Sequence, residues 1–198
     1  LAHANLQEGN LSLNLLKRIA MSALAALPLL GASTPSVGEK APDFALTSVQ
    51  GKQVKLSDLA SKAPIALVVL RGFPGYQCPF CQRQVQDFIQ NAKAFSDAGI
   101  QVVFVYPGPP ADLDVRANEF LAGKDFPKFF QMLLDPGYTF TNLYGLRWDE
   151  PRETAYPSTF LLDQRGIVFY AQIARLHSGR TTATSILRYF KDLRPAGK

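Results

Sequence analysis

The chain has 198 residues, of which 47% are hydrophobic and 19% are charged. This composition suits one folded domain with a complete core and excludes a disordered chain. The net charge is +5, but the basic residues are interleaved with acidic ones, so the charge does not indicate nucleic-acid binding.

The N-terminal segment, residues 1–36, differs from the rest of the chain. Lys17 and Arg18 precede an apolar run from Ile19 to Leu30, which is the layout of a secretory signal peptide and is too short to span a bilayer. Two alternatives remain open: the natural start of a cytoplasmic protein is Met21, or the segment forms an extra helix packed on the domain. The pattern slightly favours export to a periplasmic or other extracytoplasmic compartment.

Residues 37–198 form one predicted domain in which strands and helices alternate. "DFALTSVQGKQVKL" predicts a hairpin around Gln50-Gly51, and the apolar runs "PIALVVL" and "IQVVFVYPG" are typical of strands buried on both faces. "KFFQMLLD" predicts an edge strand or extended segment, and "STFLLD" with "IVFYAQIA" predicts a hairpin turning at residues 164–166.

The helical pattern is clearest after the cysteines. Apolar residues recur there at three- and four-residue steps, which predicts one helix closed by Gly99; they are Val85, Phe88, Ile89, Ala92 and Phe95. Weaker helices are predicted in "ADLDVRANEFLAG" and "YTFTNLYG", and a final one in "TTATSILRYFKDL". Strands alternating with helices indicate an α/β domain.

Two cysteines, Cys78 and Cys81, are the only ones in the chain. Cys78 stands at a predicted helix N-cap, with Pro79 at the first helical position. Free backbone N–H groups and the helix dipole stabilise a thiolate there, so we expect Cys78 to be the more exposed and the more acidic thiol. Cys81 lies one turn further along the helix, close enough to exchange a disulfide with Cys78.

Other uses of a C-x-x-C pair fit the sequence less well. A crosslink this short constrains little of the unfolded chain, and a zinc site would need a second ligand pair. The histidines are only His3 and His177, so we expect neither a resident metal nor another cofactor.

Several stretches together resemble the AhpC/TSA redoxin family of the thioredoxin superfamily. "VGEKAPDFALTSVQGKQVKLSDL" resembles its opening, and "LVVLRGFPGYQCPFCQRQV" its active-site strand, loop and helix. The resemblance implies a thioredoxin-like fold, with a central mixed sheet flanked by helices and an N-terminal hairpin. It further implies that Cys78 attacks, that Cys81 resolves, and that Tyr156-Pro157 is a cis peptide beside them.

The resemblance also implies a substrate class and a partner class. We expect a peroxide or disulfide as substrate and an external thiol reductant, such as a thioredoxin-like protein. Peroxiredoxins carry P-x-x-x-T/S-x-x-C, whereas this chain has Arg71 in place of the motif's proline and Gly75 in place of its threonine or serine. It also has Pro157 where their peroxide-binding arginine stands. The sequence therefore favours disulfide exchange, with thiol peroxidase activity as the alternative.

Residues around the cysteines leave further alternatives open. Arg71 either stabilises the thiolate or pairs with a carboxylate. Tyr76 either shapes a substrate patch or packs, and Arg180 either lies near the site or pairs at the surface. A third function, copper binding similar to that of SCO-type proteins, would use both cysteines and His177.

Overall fold

A computed structural model describes residues 33–193. Nearly all of the N-terminal segment therefore lies outside the described residues, and both the signal-peptide prediction and its alternatives stay predictions. Over the described range, no helix is long and apolar enough to cross a membrane.

The described chain contains seven strands and six helices. The strands are β1 (Ala45–Ser48), β2 (Gln53–Lys55), β3 (Ile65–Val69), β4 (Gln101–Gly108), β5 (Gln131–Pro136), β6 (Ser158–Leu162) and β7 (Val168–Ile173). The helices are α1 (Leu56–Ala60), α2 (Pro79–Gln90), α3 (Ala92–Asp97), α4 (Leu113–Leu121), α5 (Thr139–Leu143) and α6 (Ala183–Leu193).

All seven strands form one mixed sheet in the order β2-β1-β5-β4-β3-β6-β7. The central pairs β3–β4 and β4–β5 are parallel. The outer pairs, including the hairpins β1–β2 and β6–β7, are antiparallel. The sheet confirms the predicted thioredoxin-like α/β fold with its N-terminal hairpin.

The prediction that "KFFQMLLD" is an edge strand or extended segment is wrong about its place in the sheet. β5 lies in the interior between β1 and β4, because the N-terminal hairpin returns to it and pairs Thr47 with Leu134 and Ser48 with Leu133. The edges are instead β2 and β7.

The predicted single helix after the cysteines is two helices, α2 and α3, which meet at Asn91. The Asn91 side-chain amide donates to the Asp87 carbonyl oxygen at 2.8 Å. Asn91 also departs from helical geometry, with φ −101° and ψ 13°. Asparagine competes in this way with helical backbone bonds, whereas the apolar pattern continues across the break.

The sheet separates two core layers. β3 divides its side chains between them because successive residues of a strand point to opposite faces. The first core layer includes Ala66, Val68, Leu70, Val85, Phe88, Phe104, Phe120 and Ile186, and it is covered by α2, α4 and α6. The second includes Ile65, Leu67, Val69, Phe140, Tyr144 and Phe160, and it is covered by α1 and α5.

The connection from β3 to α2 brings the cysteines to the end of the sheet. It crosses β4 at Gly72, whose φ is +72° and where a Cβ atom would lie 1.9 Å from the Pro107 carbonyl oxygen. Phe73 N donates to that same oxygen at 2.9 Å. Only glycine allows so close a crossing, so Gly72 fixes the path of the loop 72–77 to the cysteines.

Candidate active site

Cys78 is the N-cap residue of α2 and Pro79 is its first helical residue, as predicted. The prediction that Cys78 is the more exposed thiol is wrong, because both cysteines are 0% exposed and both belong to the first core layer. Both are free thiols. A substrate therefore reaches Cys78 only when neighbouring groups move.

The two thiols differ in acidity in the predicted direction. A hydrogen bond from the Cys81 side chain, the Cys81 backbone N–H, the charge of Arg180 and a hydrogen bond from Arg71 together lower the pKa of Cys78 to about 5, against burial, which raises it. Burial, and after it the bond to Cys78, raise the pKa of Cys81. At neutral pH the site holds one thiolate and one thiol.

Arg71 follows β3 and lies in the centre of the site. Its guanidinium forms a two-pronged ion pair with Glu153, in which Nη2 and Oε1 are 2.9 Å apart and Nε donates to Oε2. Nη2 also donates to the Arg152 carbonyl oxygen at 2.6 Å, and Nη1 donates to the Tyr76 hydroxyl at 2.7 Å. Arg71 is therefore paired with a carboxylate, and a hydrogen bond from Arg71 is the last named of the causes that lower the pKa of Cys78.

Glu153 is a site residue that sequence reasoning missed. Its carboxylate binds Arg71 on one side and contacts His177 on the other, where His177 Nε2 and Glu153 Oε1 are 2.8 Å apart. Glu153 and Arg71 are 82 positions apart along the chain, so no local spacing connects them. The only available signal was an acidic residue shortly before the strand predicted at 158–163.

Arg180 reaches the site from the loop that precedes α6. Its charge acts on both thiols, while Nη1 donates to the Gln84 side-chain oxygen at 2.9 Å and Nε donates to the His177 carbonyl oxygen at 2.9 Å. Within residues 33–193, its buried Nη2 has no hydrogen-bond partner. The structure thus places Arg180 at the site rather than in a surface pair.

Gln77 anchors the residue directly before Cys78. Its side-chain oxygen accepts a bond from the Tyr106 hydroxyl at 2.8 Å, and its amide donates to the Arg116 carbonyl oxygen at 2.8 Å. Tyr106 comes from β4 and Arg116 from α4. These two bonds tie the last residue of the loop 72–77 to both elements.

Pro157 lies directly before β6, but the predicted cis peptide is wrong: every peptide bond in the described range is trans. The backbone is hydrogen-bonded on both sides of the Tyr156-Pro157 peptide bond. Tyr156 N donates to the Leu146 carbonyl oxygen at 2.9 Å, and the Pro157 oxygen accepts from Ala174 N at 2.8 Å. The chain continues extended into β6, which suits a trans bond.

The copper alternative loses its ligand set. Across the part of the chain that the structure describes, no three His, Cys, Asp or Glu side chains are placed to hold a metal ion. His177 contacts Glu153 instead, and its ring lies beside Phe80 and Trp148, with centroid distances of 6.0 and 5.3 Å.

A thioredoxin-like sheet that holds two free thiols of opposite acidity at the start of a helix defines a thiol oxidoreductase. Comparison with known proteins gives the family. Residues 37–171 match the model of the AhpC/TSA family, and the chain belongs to that family.

Relatives of two kinds are similar to this chain. The thiol-disulfide oxidoreductase ResA of Halalkalibacterium halodurans is 24% identical over 163 residues, covering 82% of this chain and 80% of ResA. A Mycobacterium tuberculosis protein assigned as a peroxiredoxin is 29% identical over 140 residues, covering 68% of this chain and 83% of that protein. Both names describe thiol oxidoreductases, and the chain is an oxidoreductase of that kind.

A solved structure agrees on the fold. The peroxidoxin BcpB of Mycobacterium tuberculosis superposes with a TM-score of 0.65 at 20% identity, covering 81% of this chain and 99% of that chain.

Proposed function

We propose that the protein is a thiol-disulfide oxidoreductase in which Cys78 attacks the substrate and Cys81 resolves the intermediate. The observation that carries the proposal is the opposite acidity of two neighbouring thiols. The pKa of Cys78 is lowered to about 5 and that of Cys81 is raised. At neutral pH Cys78 is therefore the nucleophile, while Cys81 keeps its proton until a mixed disulfide has formed.

The reaction transfers two electrons from the dithiol to the substrate. The Cys78 thiolate attacks one sulfur of a disulfide, a mixed disulfide forms, and the other substrate sulfur leaves as a thiolate. Cys81 then loses its proton and attacks the Cys78 sulfur, which releases the second substrate thiol and forms the Cys78–Cys81 disulfide. An external dithiol, such as that of a thioredoxin-like protein, returns the two electrons.

Thiol peroxidase activity is the second candidate, and the position of Arg71 favours it. Peroxide reduction needs donors that stabilise the leaving oxygen, and the chain lacks the family threonine three residues before Cys78. The Arg71 guanidinium is among the groups that lower the pKa of Cys78, and it would supply one such donor. Attack on peroxide would form a sulfenic acid on Cys78 and release hydroxide, and Cys81 would then displace water to give the same disulfide.

We rank disulfide exchange first because the Arg71 guanidinium is already hydrogen-bonded to other groups. Its guanidinium is occupied by Glu153, the Arg152 carbonyl oxygen and Tyr76, whereas exchange needs only a thiolate, an approach path and a neighbouring thiol.

Single-turnover oxidation of the reduced protein tests this ranking. We expect hydroxyethyl disulfide to oxidise the full chain readily and hydrogen peroxide to do so only slowly. Cys78→Ser should abolish the reaction, and Cys81→Ser should stop it at the mixed disulfide, which mass spectrometry detects. A peroxide rate comparable to that of an efficient peroxidase, lost in Arg71→Ala, would instead make peroxide reduction the function.

A further inference from the structure

The Tyr76 hydroxyl is held in an unusual way. Arg71 Nη1 donates to its oxygen at 2.7 Å, and a guanidinium can only donate. The bond therefore uses a lone pair of the phenol and leaves its proton free. Among the described residues no side chain or carbonyl accepts that proton, since the one bond of the hydroxyl is to Arg71.

The free proton belongs to an exposed side chain. Tyr76 is 44% exposed, whereas Cys78 is buried. The backbone places Tyr76 two residues before Cys78, in the loop that Gly72 and Gly75 allow to turn with positive φ. The phenol is therefore exposed to solvent within two residues of the buried thiol.

One guanidinium is shared by the hydroxyl and the reacting thiol. Arg71 donates to the Tyr76 hydroxyl at 2.7 Å, and Cys78 is among the groups whose hydrogen bonding acts on Arg71. In a disulfide exchange the three sulfurs are in line and the S–S bond is about 2 Å long, so the leaving sulfur lies roughly 4 to 5 Å from the attacking one. A phenol hydroxyl held by the same guanidinium is a candidate proton donor to that leaving sulfur.

We propose that Tyr76 is a catalytic acid that donates its phenolic proton to the group leaving the substrate when Cys78 attacks. This inference rests on the proposed role of Cys78 as nucleophile. It assigns to Tyr76 a chemical step, in place of the substrate patch or packing considered from the sequence.

The step balances as follows. The Cys78 thiolate forms a new S–S bond, the substrate S–S bond breaks, and its electron pair passes to the leaving sulfur, which takes the proton from Tyr76. The resulting phenolate keeps its bond from Arg71 Nη1, so the guanidinium stabilises the new negative charge. Because the ring is partly exposed, water returns the proton after the thiol departs. With a peroxide the same proton would convert the leaving hydroxide to water.

The leaving group makes the proposal testable, because a proton donor matters only for a leaving group that needs a proton. Tyr76→Phe keeps the ring and removes the hydroxyl. For hydroxyethyl disulfide, which releases a basic alkyl thiolate, we expect the variant to react about 10²-fold more slowly than the parent chain. For dipyridyl disulfide, whose leaving group is stabilised without a proton on sulfur, the rate should stay within about twofold.

Two controls accompany the variant. Tyr189→Phe removes a phenolic hydroxyl on α6 and should leave both rates unchanged. Iodoacetamide alkylation of Cys78 releases iodide, which needs no proton, so its rate should also be the same in Tyr76→Phe and the parent chain. An unchanged dipyridyl rate shows in addition that the variant is folded.

Other results would overturn the assignment. Equal slowing with both disulfides would mean that Tyr76 acts on the thiolate or on the loop, and no slowing with either would mean that the hydroxyl takes no part. A parent chain that exchanges with neither disulfide would instead refute the proposed function itself.

Discussion

At the residue scale, Arg71 and Glu153 form a buried ion pair. Their side chains are only 3% and 10% exposed, and removing one partner from such a pair leaves the other charge buried and uncompensated. Glu153→Gln should therefore lower the free energy of unfolding by about 3 kcal/mol, measured by urea denaturation.

An exposed pair provides the control for this substitution. Arg116 and Glu119 lie 2.8 Å apart at 39% and 48% exposure, where water already solvates both charges. Glu119→Gln should therefore cost much less than Glu153→Gln. Equal losses in the two variants would contradict a structural role for the buried pair.

The acidity of Cys78 gives a pH prediction. Alkylation of Cys78 should follow its thiolate, with a midpoint near pH 5 because its pKa is lowered to about 5. The rate should be nearly constant from neutral pH upward and should fall as the pH drops below that midpoint. Arg180 contributes by its positive charge, so Arg180→Gln should move the midpoint to higher pH.

The control is Arg83→Gln. Arg83 lies on α2 with its guanidinium over the Phe80 ring at 4.6 Å, and it is not among the largest influences on the pKa of Cys78. This variant should keep the parent midpoint. A midpoint that moves equally in both variants would indicate a general charge effect instead of a specific one at Arg180.

Sequence reasoning found the residues whose chemistry depends on their local position. Cys78 and Cys81 were identifiable because an N-cap and a one-turn spacing are local properties. Their burial was not predictable, since it depends on how the loop 72–77 and the core close around them. Glu153 was missed for the same reason, because it meets Arg71 only in the folded chain.

At the scale of elements, the loop from β3 to α2 depends on Gly72. Both Gly72 and Gly75 have positive φ, but only at Gly72 would a Cβ collide with backbone, at 1.9 Å from the Pro107 oxygen. Gly75→Ala should therefore cost only the conformational strain, about 1 to 2 kcal/mol. Gly72→Ala should cost about 4 kcal/mol or more, because the loop must leave β4.

Two measurements check this pair of variants. Thermal or chemical unfolding gives the difference in stability. Iodoacetamide gives the accessibility of Cys78, which should rise in Gly72→Ala because the loop that leads to Cys78 is displaced. Similar stability and similar alkylation in the two variants would mean that the crossing at Pro107 does not hold the loop.

Elements with strong local signals were predictable, and pairings between distant segments were not. Both hairpins follow from a turn between two short strands, and the buried strands β3 and β4 follow from continuous apolar runs. The interior position of β5 arises from its contact with β1, more than eighty residues earlier in the chain. The break between α2 and α3 is hidden because the apolar period continues through Asn91.

At the scale of the whole molecule, the sheet separates the core layer that contains the cysteines from the layer that does not. Both thiols belong to the first core layer together with α2, α4 and α6, while the second layer contains neither cysteine. The site therefore lies at one end of the sheet and takes residues from the segment after β3, the loop 72–77, the start of α2, the segment before β6 and the segment before α6. This explains why the local sequence pattern identifies the nucleophile but not the residues that surround it.

The charges around the reduced dithiol add a consequence for its redox balance. In the reduced protein the guanidinium groups of Arg71 and Arg180 are matched by the Glu153 carboxylate and the Cys78 thiolate, so the centre is electrically neutral. Forming the disulfide removes the thiolate and leaves one positive charge without a counterpart in a poorly hydrated place. Reduction thus restores neutrality, and it stabilises the dithiol relative to the disulfide. Dissolved salt supplies mobile counterions that screen the excess charge, so raising the ionic strength shifts this balance toward the oxidised protein.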